Sequence, residues 1–399
     1  MTATAAATAS GRAVSLTVDL GAIRRNANIV ATRVAVPVHF VVKANAYGHG
    51  AARVAAMLAA ERPGSTFVVA RPEEAFELRH QGLAEPILVL GTGLAGLSPG
   101  PARELAAELG RLRLSAGVAS AEELALWLEC AGGSSAGAAP VTLHLKVDTG
   151  LGRAGMEPAL LSSARERVAR AVGLRLGGVF THLAESELLD SDFTMRQLDR
   201  FDRACAELGP RLDSVPRHVA NSAAALHCSR ALYDAVRVGG ALYGVDLSAP
   251  DSRGELEPAM RVTARVVQLK RLGSGDSVGY GRRYRARGDR EIALLPVGYA
   301  DGLASTAAGG AWVLVRGRRA PVVGAISMDL TSIDVTGLGV QLGDEAVILG
   351  DQEGQNIGVA ELALWSGSPP YECLCRLSRR IVPTYEDLEA EGRDRPIAP

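Results

Sequence analysis

The chain has 399 residues, 47% of them apolar, with 43 basic and 44 acidic side chains and a formal charge of −1. That is long enough for a barrel plus a second unit. The even charge balance leaves no basic footprint for nucleic acid or an anionic membrane, and no apolar run approaches the roughly 20 residues of a membrane span, so the function is expected at a small-molecule site.

Residues 1–13 are Ala/Thr-rich, lack the basic-then-apolar order of a secretory signal, and read as a disordered tail. From 14 to 250, short β-rich runs alternate with stretches of helical period. The runs are 39–43, 66–70, 87–90, 111–115, 142–148, 176–182, 217–222 and 234–239. The helical stretches between them include 72–81, 102–110, 121–130, 158–172 and 194–208. Eight such alternations over about 230 residues predict an α/β fold, a TIM-type (β/α)8 barrel. The glycine fingerprint of a dinucleotide fold is missing.

From 251 to 385 the pattern changes to strand-like runs with glycine turns and little helix: 262–270, 291–296, 312–316, 320–323, 332–335 and 345–349. This predicts a mostly antiparallel C-terminal β domain. Residues 386–399 are charged and Pro-containing and read as a loose tail. The cysteines, five and scattered, fit a reducing cytoplasm better than a disulfide framework. Cys373 and Cys375 read as neighbours on one face of a strand, and no metal site is expected because no Cys/His set completes four ligands.

A barrel of this type carries its chemistry at the carboxyl ends of its strands. Those ends bear Lys43, Arg71, Gly91, Lys146 with Asp148, His182, Asn221 with Ser222, and Arg237 with Gly239 and Gly240. Any one of them alone is a solvated loop residue. Together they place a lysine, a histidine, arginines, a hydroxyl and a glycine pair around one mouth. The chain has three lysines, Lys43, Lys146 and Lys270, so lysine chemistry has few candidates. Lys43 leaves a buried strand into a turn of small residues. Desolvation there lowers an ammonium pKa and makes the amine a usable nucleophile and base. Ser222 with the turn 237–240 offers the hydroxyl and close backbone approach that a phosphate needs.

The run Val42-Lys43-Ala44-Asn45-Ala46-Tyr47-Gly48-His49-Gly50 resembles the cofactor-lysine signature of the alanine racemases, which use pyridoxal 5′-phosphate. The likeness continues in order through Lys146-Val147-Asp148-Thr149-Gly150-Leu151-Gly152-Arg153, Thr181-His182-Leu183-Ala184, Ala220-Asn221-Ser222-Ala223, Arg237-Val238-Gly239-Gly240, Gly279-Tyr280-Gly281, Val297-Gly298-Tyr299-Ala300-Asp301, Ser327-Met328-Asp329 and Tyr371-Glu372. It implies interconversion of L- and D-alanine by two bases, Lys43, which also holds the cofactor, and Tyr280. It implies that Tyr47, Asn221, Ser222, Gly239, Gly240 and Tyr371 bind the cofactor. Arg237 would face its pyridine nitrogen and Arg153 its phenolic oxygen and the substrate carboxylate. His182 would lie beside the ring and link Tyr280 to Arg237. Met328 and Tyr299 would meet the substrate. Lys146 resembles a lysine often carbamylated in the family. The resemblance further implies a head-to-tail homodimer in which Tyr280 completes the partner's site.

Three departures touch the entrance and surroundings of the site. Gly279 stands where serine is expected, Ser327 where cysteine is frequent, and 303–310 replaces an expected arginine and Ser-Asn pair. A racemase for serine or basic amino acids, a decarboxylase of the same architecture, and a non-catalytic cofactor-binding barrel are the competing readings. A catalytic cysteine motif for the decarboxylase is not apparent, and a barrel carrier would leave the β domain and Tyr280 without a task.

Overall fold

The structure, a computed structural model, describes residues 12–131, 140–208, 215–248 and 255–387. Most of the two expected tails, and the expected domain boundary at 250–251, lie outside the described residues.

Eight parallel strands form the first sheet: Val38–Val41, Thr66–Val69, Ile87–Val89, Ser115–Val118, Val141–Lys146, Leu174–Phe180, Arg217–His218 and Val236–Val238. Neighbours in this sequence pair in order, Val236–Val238 pairs back onto Val38–Val41, and a bridge between His218 and Ala235 spans the last gap. Helices such as Ala51–Glu61, Pro72–His80, Ala121–Ala131 and Asp192–Ala206 cover the outside. Covered on both faces, the strands read as continuous apolar runs, as in the fully buried Ile87–Val89.

The expected strand at 111–115 is displaced. The helix Pro99–Arg111 runs into it, and the strand is Ser115–Val118. Between them Arg113 turns left-handed at φ 54°, with the N–H of Arg113 donating to Gly110 O and that of Leu114 to Leu109 O. Leu112 and Leu114 thus belong to a helix-ending turn, whose alternation imitates a strand.

The second sheet has ten strands. In order across it lie Gln268–Leu272, Arg290–Leu295, Thr331–Asp334, Arg318–Val323, Trp312–Val315, Glu345–Gln352, Met260–Arg265, Val14–Asp19 and Thr384–Glu386, with Gln355–Ile357 paired to Glu345–Gln352. All its pairings are antiparallel except that of Val14–Asp19 with Thr384–Glu386. Val14–Asp19 therefore belongs to the β sheet rather than to the barrel region in which the sequence placed it. Its Leu16 and Val18 are fully buried. Asp19 then caps the helix Leu20–Val34, accepting from the N–H of Ala22 at 2.9 Å. At the other end Glu386 completes a strand and Asp387 pairs with Arg24, so these two residues are not loose.

The expected poverty of helix after residue 251 meets two exceptions, Val359–Ser366 and Pro370–Leu377. Cys373 and Cys375 lie on the second of these and not on a strand. Pro370 sits in its first turn, and Cys373, Leu374 and Leu377 form a buried stripe at helical spacing. Cys375 points to a different side. No described helix is long and apolar enough to cross a membrane.

Candidate active site

A cavity of about 520 Å³ opens at the carboxyl ends of the barrel strands. Its lining includes Lys43, Tyr47, Lys146, Arg153, His182, Asn221, Ser222, Arg237, Gly239, Gly240 and Tyr371, so eleven expected residues meet in one place.

Lys43 follows the strand Val38–Val41 after the single residue Val42. The next four residues, Ala44, Asn45, Ala46 and Tyr47, all take left-handed conformations with φ 51–55°, and Gly48 follows at 87°. The turn closes on itself through Ala46 N–H to Val42 O (2.8 Å), Gly48 N–H to Ala44 O (3.0 Å) and Gly50 N–H to Asn45 O (2.9 Å). Asn45 Oδ1 accepts from Ala51 N–H at 2.8 Å, and His49 Nδ1 donates to Ala46 O at 2.9 Å. Such a run throws Lys43 and Tyr47 into the cavity, where a right-handed turn would direct them elsewhere. Burial is the main reason that Lys43 holds its proton less tightly than an ordinary lysine, and Arg153 adds to this. Lys146 is lowered to about 8, first by burial and then by Arg153.

Arg153 has no hydrogen-bond or ion-pair partner among the described residues, and lines the cavity beside the two lysines. Three cationic side chains facing one cavity are a site for an anion. A second cradle lies at the last strand. The Ser222 hydroxyl accepts from Gly239 N–H (3.0 Å) and Ala241 N–H (3.2 Å), which leaves its own hydrogen to donate. A Cβ on Gly239 would meet Tyr47 Oη at 2.7 Å, and one on Gly240 would meet Tyr371 at 2.5 Å. The two glycines thus let the rings of Tyr47 and Tyr371 approach the backbone that Ser222 bonds, so three hydroxyls serve this cradle. Burial raises the phenols of Tyr47 and Tyr371, keeping both as donors. A phosphate and a second anionic group fit these residues, and the Lys43 amine lines the same cavity; the donor set fits pyridoxal 5′-phosphate. Asn221 lines the cavity but its side chain is engaged, accepting from Ala224 N–H and donating to Ser186 Oγ.

Arg237 is 5% exposed and surrounded by neutral acceptors. It donates to His218 Nδ1 at 2.9 Å, to His218 O, to Thr181 O at 2.7 Å and to Val219 O at 3.1 Å, and it lies over the Phe180 ring. Burial lowers it to about 10, so it keeps its charge at neutral pH. A guanidinium only donates, so His218 Nδ1 accepts. His218 Nε2 then carries the hydrogen and donates to His144 Nδ1 at 2.9 Å. His218 and His144 were missed in the sequence because they lie inside the barrel below the strand ends. The expected link from His182 to Arg237 is not made: among the described residues no hydrogen bond joins them, and His218 takes that place. His182 is held neutral, lowered to about 3 by burial and then by Arg237. Cys375, Glu372 and Glu187 also line the cavity; Glu372 stood in a quoted motif without a role, Cys375 was read as a strand residue, and Glu187 carried no sequence signal.

Tyr280, Tyr299 and Met328 do not reach this cavity. They are 77%, 47% and 53% exposed, at one end of the β domain. Tyr299 N–H donates to Ser327 O, Ala300 N–H donates to Met328 O, and Gly279, next to Tyr280, abuts Ala325. The three therefore form one surface patch.

Family models for the alanine racemase N-terminal domain and C-terminal domain match residues 18–247 and 259–385. An alanine racemase of Symbiobacterium thermophilum is 40% identical over 377 residues, which cover 92% of this chain and 96% of that protein. The crystal structure of alanine racemase from E. faecalis superposes with a TM-score of 0.85 at 32% identity, covering 94% of this chain and 98% of that one. An alanine racemase from Bartonella henselae, solved with covalently bound pyridoxal phosphate, gives 0.82 at 27% identity, covering 94% of this chain and all of that one (100%). With barrel, β domain and strand-end cavity all accounted for, the chain belongs to the alanine racemase family.

Proposed function

We propose that the protein is an amino-acid racemase that interconverts L- and D-alanine with pyridoxal 5′-phosphate, Lys43 and Tyr280 acting on opposite faces of the substrate. The observation that carries this reading is the convergence of Lys43, the unpartnered Arg153 and the Ser222–Gly239–Gly240 cradle on one cavity.

Tyr47, Ser222, Gly239, Gly240 and Tyr371 would hold the phosphate, and Arg153 the phenolic oxygen and the substrate carboxylate. When bound, the cofactor supplies an electron sink that acidifies the substrate's α-hydrogen. Lys43 Nζ would be the attachment point, and its amine would take up or return a proton on one face of the substrate. Arg237, which retains its protons, would face the cofactor's ring nitrogen as a donor rather than protonate it, which would moderate the sink and disfavour side reactions. Lys146, lowered to about 8, has the neutral fraction that carbamylation requires, and a carbamate there would give Arg153 an anionic partner.

The second base comes from another subunit in this reading. Tyr280, Met328 and Tyr299 form an exposed patch, and none of the three lines the cavity of their own chain. A head-to-tail homodimer brings the two together and makes each site joint property. Tyr371 inside the cavity, with Tyr299 at the joint, leaves room for a small side chain, which favours alanine over serine or basic substrates. Five free cysteines fit a reducing, cytoplasmic setting.

The purified holoenzyme, incubated with single L-amino acids and followed by chiral chromatography, is expected to racemise alanine fastest. Borohydride reduction should fix the cofactor on the peptide containing Lys43. Fixation on Lys146 or Lys270, or preference for another amino acid, would contradict the assignment.

A further inference from the structure

The left-handed turn after Lys43 is made almost wholly of residues with side chains, a conformation that L-residues hold only when their surroundings impose it. Its internal bonds engage the N–H groups of Ala46, Gly48, His49 and Gly50. The N–H of Ala44, adjacent to Lys43, is not among them. It donates instead to Glu74 Oε1 at 2.6 Å. The other oxygen of Glu74 accepts from Ala70 N–H at 2.8 Å and Arg71 N–H at 3.0 Å. One half-buried carboxylate thus ties the first residue of the turn to the end of the neighbouring strand Thr66–Val69 and to the first turn of the helix Pro72–His80.

We infer that Glu74 is the positioning residue of Lys43: it locks the turn that aims the amine into the cavity, and it sets a negative charge against the arginines facing that amine. The inference rests on the reading of Lys43 as the cofactor's attachment point. Lys43 faces Arg153 from the loop after Val141–Lys146, Arg237 from Val236–Val238, and Cys375 from the helix Pro370–Leu377. Lys146, His182, Glu187, Tyr371 and Glu372 share the cavity, and the Tyr47 ring lies 5.9 Å from its Nζ. Within this set Glu74 opposes the lowering that burial, Arg153 and Arg237 produce. The carboxylate therefore serves geometry and charge at once. A glutamate next to an N-terminal helix turn would ordinarily be taken for a cap alone, which the bond to Ala44 exceeds.

The test uses the full-length chain freed of cofactor. One readout is the pH midpoint of Lys43 acetylation by acetic anhydride, followed by peptide mass spectrometry, with exposed Lys270 as internal reference. The other is the Kd for added pyridoxal 5′-phosphate, read by absorbance. In E74Q the midpoint of Lys43 should move to lower pH while that of Lys270 stays in place, because Arg153 and Arg237 are then less opposed. In E74A the Kd should rise about tenfold to hundredfold, the worth of a lost hydrogen bond to a charged group. E74D, which keeps the charge, should bring the midpoint back towards the wild-type value. E74Q and E74D keep most of the side chain and decide the matter independently of how well E74A folds. An unmoved midpoint in E74Q, or a wild-type Kd in folded E74A, would overturn the inference. A wild-type chain whose Lys43 takes no cofactor would instead overturn the reading on which it rests.

Discussion

Arg237 sets the electrostatic tone of the cavity floor. It is a buried cation whose partners are a histidine nitrogen and backbone carbonyls, with no carboxylate among the described residues in hydrogen-bond reach. Its field and burial together keep the histidines beneath it uncharged. His39 is lowered to about 4 and His144 to about 3, each first by burial, and His218 lies well below its ordinary value for the same reason. The sign of the consequence follows from linkage. In the unfolded chain these rings take up protons as pH falls through 6.5, whereas in the folded chain they do not until about 4 or lower. The unfolded state then binds more protons, so stability is complete above pH 6.5 and is lost as pH falls from there towards 4. Each ring contributes a slope of about 1.4 kcal/mol per pH unit in that window. Urea unfolding at pH 7 and pH 5 should show a marked loss at the lower value, and the loss should be smaller in His144→Gln. A stability unchanged between the two would mean that these rings are already charged in the folded protein.

At the scale of elements, the decisive junction is between the left-handed turn and the helix Pro370–Leu377. Gly48 closes the turn at φ 87°, and a Cβ there would sit 2.5 Å from Ser378 Oγ and 2.7 Å from the carbonyl of Leu374. The hydroxyl can rotate away; the helix carbonyl cannot. Gly48→Ala should therefore cost roughly 2–4 kcal/mol, combining a disfavoured conformation with overpacking. It should also weaken cofactor binding, because Tyr47 precedes it and Tyr371 stands on the helix it would displace. Equal denaturation midpoints for Gly48→Ala and the wild type would refute this. The sequence disclosed this turn only as a string of small residues. The spacing of Cys373 and Cys375 fits either strand or helix; what settles it is the stripe formed with Leu374 and Leu377, which packing selects and a two-residue period conceals. The same ambiguity hid the turn at Arg113.

The whole molecule is a barrel joined to a sheet that takes its strands from both ends of the chain. The strand-end rule made part of the cavity legible in advance: Lys43, Lys146, His182, Ser222, Arg237, Gly239 and Gly240 lie at strand ends or shortly after them, whereas Arg71, Gly91 and Asp148 do not line the cavity and Tyr47, Arg153 and Tyr371 came only from the family likeness. Pairing partners were not legible: nothing in residues 14–19 states that they lie beside Met260–Arg265 and Thr384–Glu386. His218 escaped for a related reason, as it lies within a barrel strand and only the closed ring brings it under Arg237. Nor does one chain bring Tyr280 to Lys43. If the site is shared, mixing inactive Lys43→Ala dimers with inactive Tyr280→Phe dimers under subunit exchange should restore activity, because one hybrid site carries both bases. Continued inactivity of proven hybrids would exclude sharing. The two-base assignment itself is tested most directly by hydrogen exchange in deuterated water with Tyr280→Phe. The ring is kept and only the hydroxyl is lost, so racemisation should fall about 10²–10⁴-fold. Lys43 remains, and D-alanine should lose its α-hydrogen to solvent faster than L-alanine. Equal exchange of the two enantiomers, or racemisation near the wild-type rate, would contradict the account.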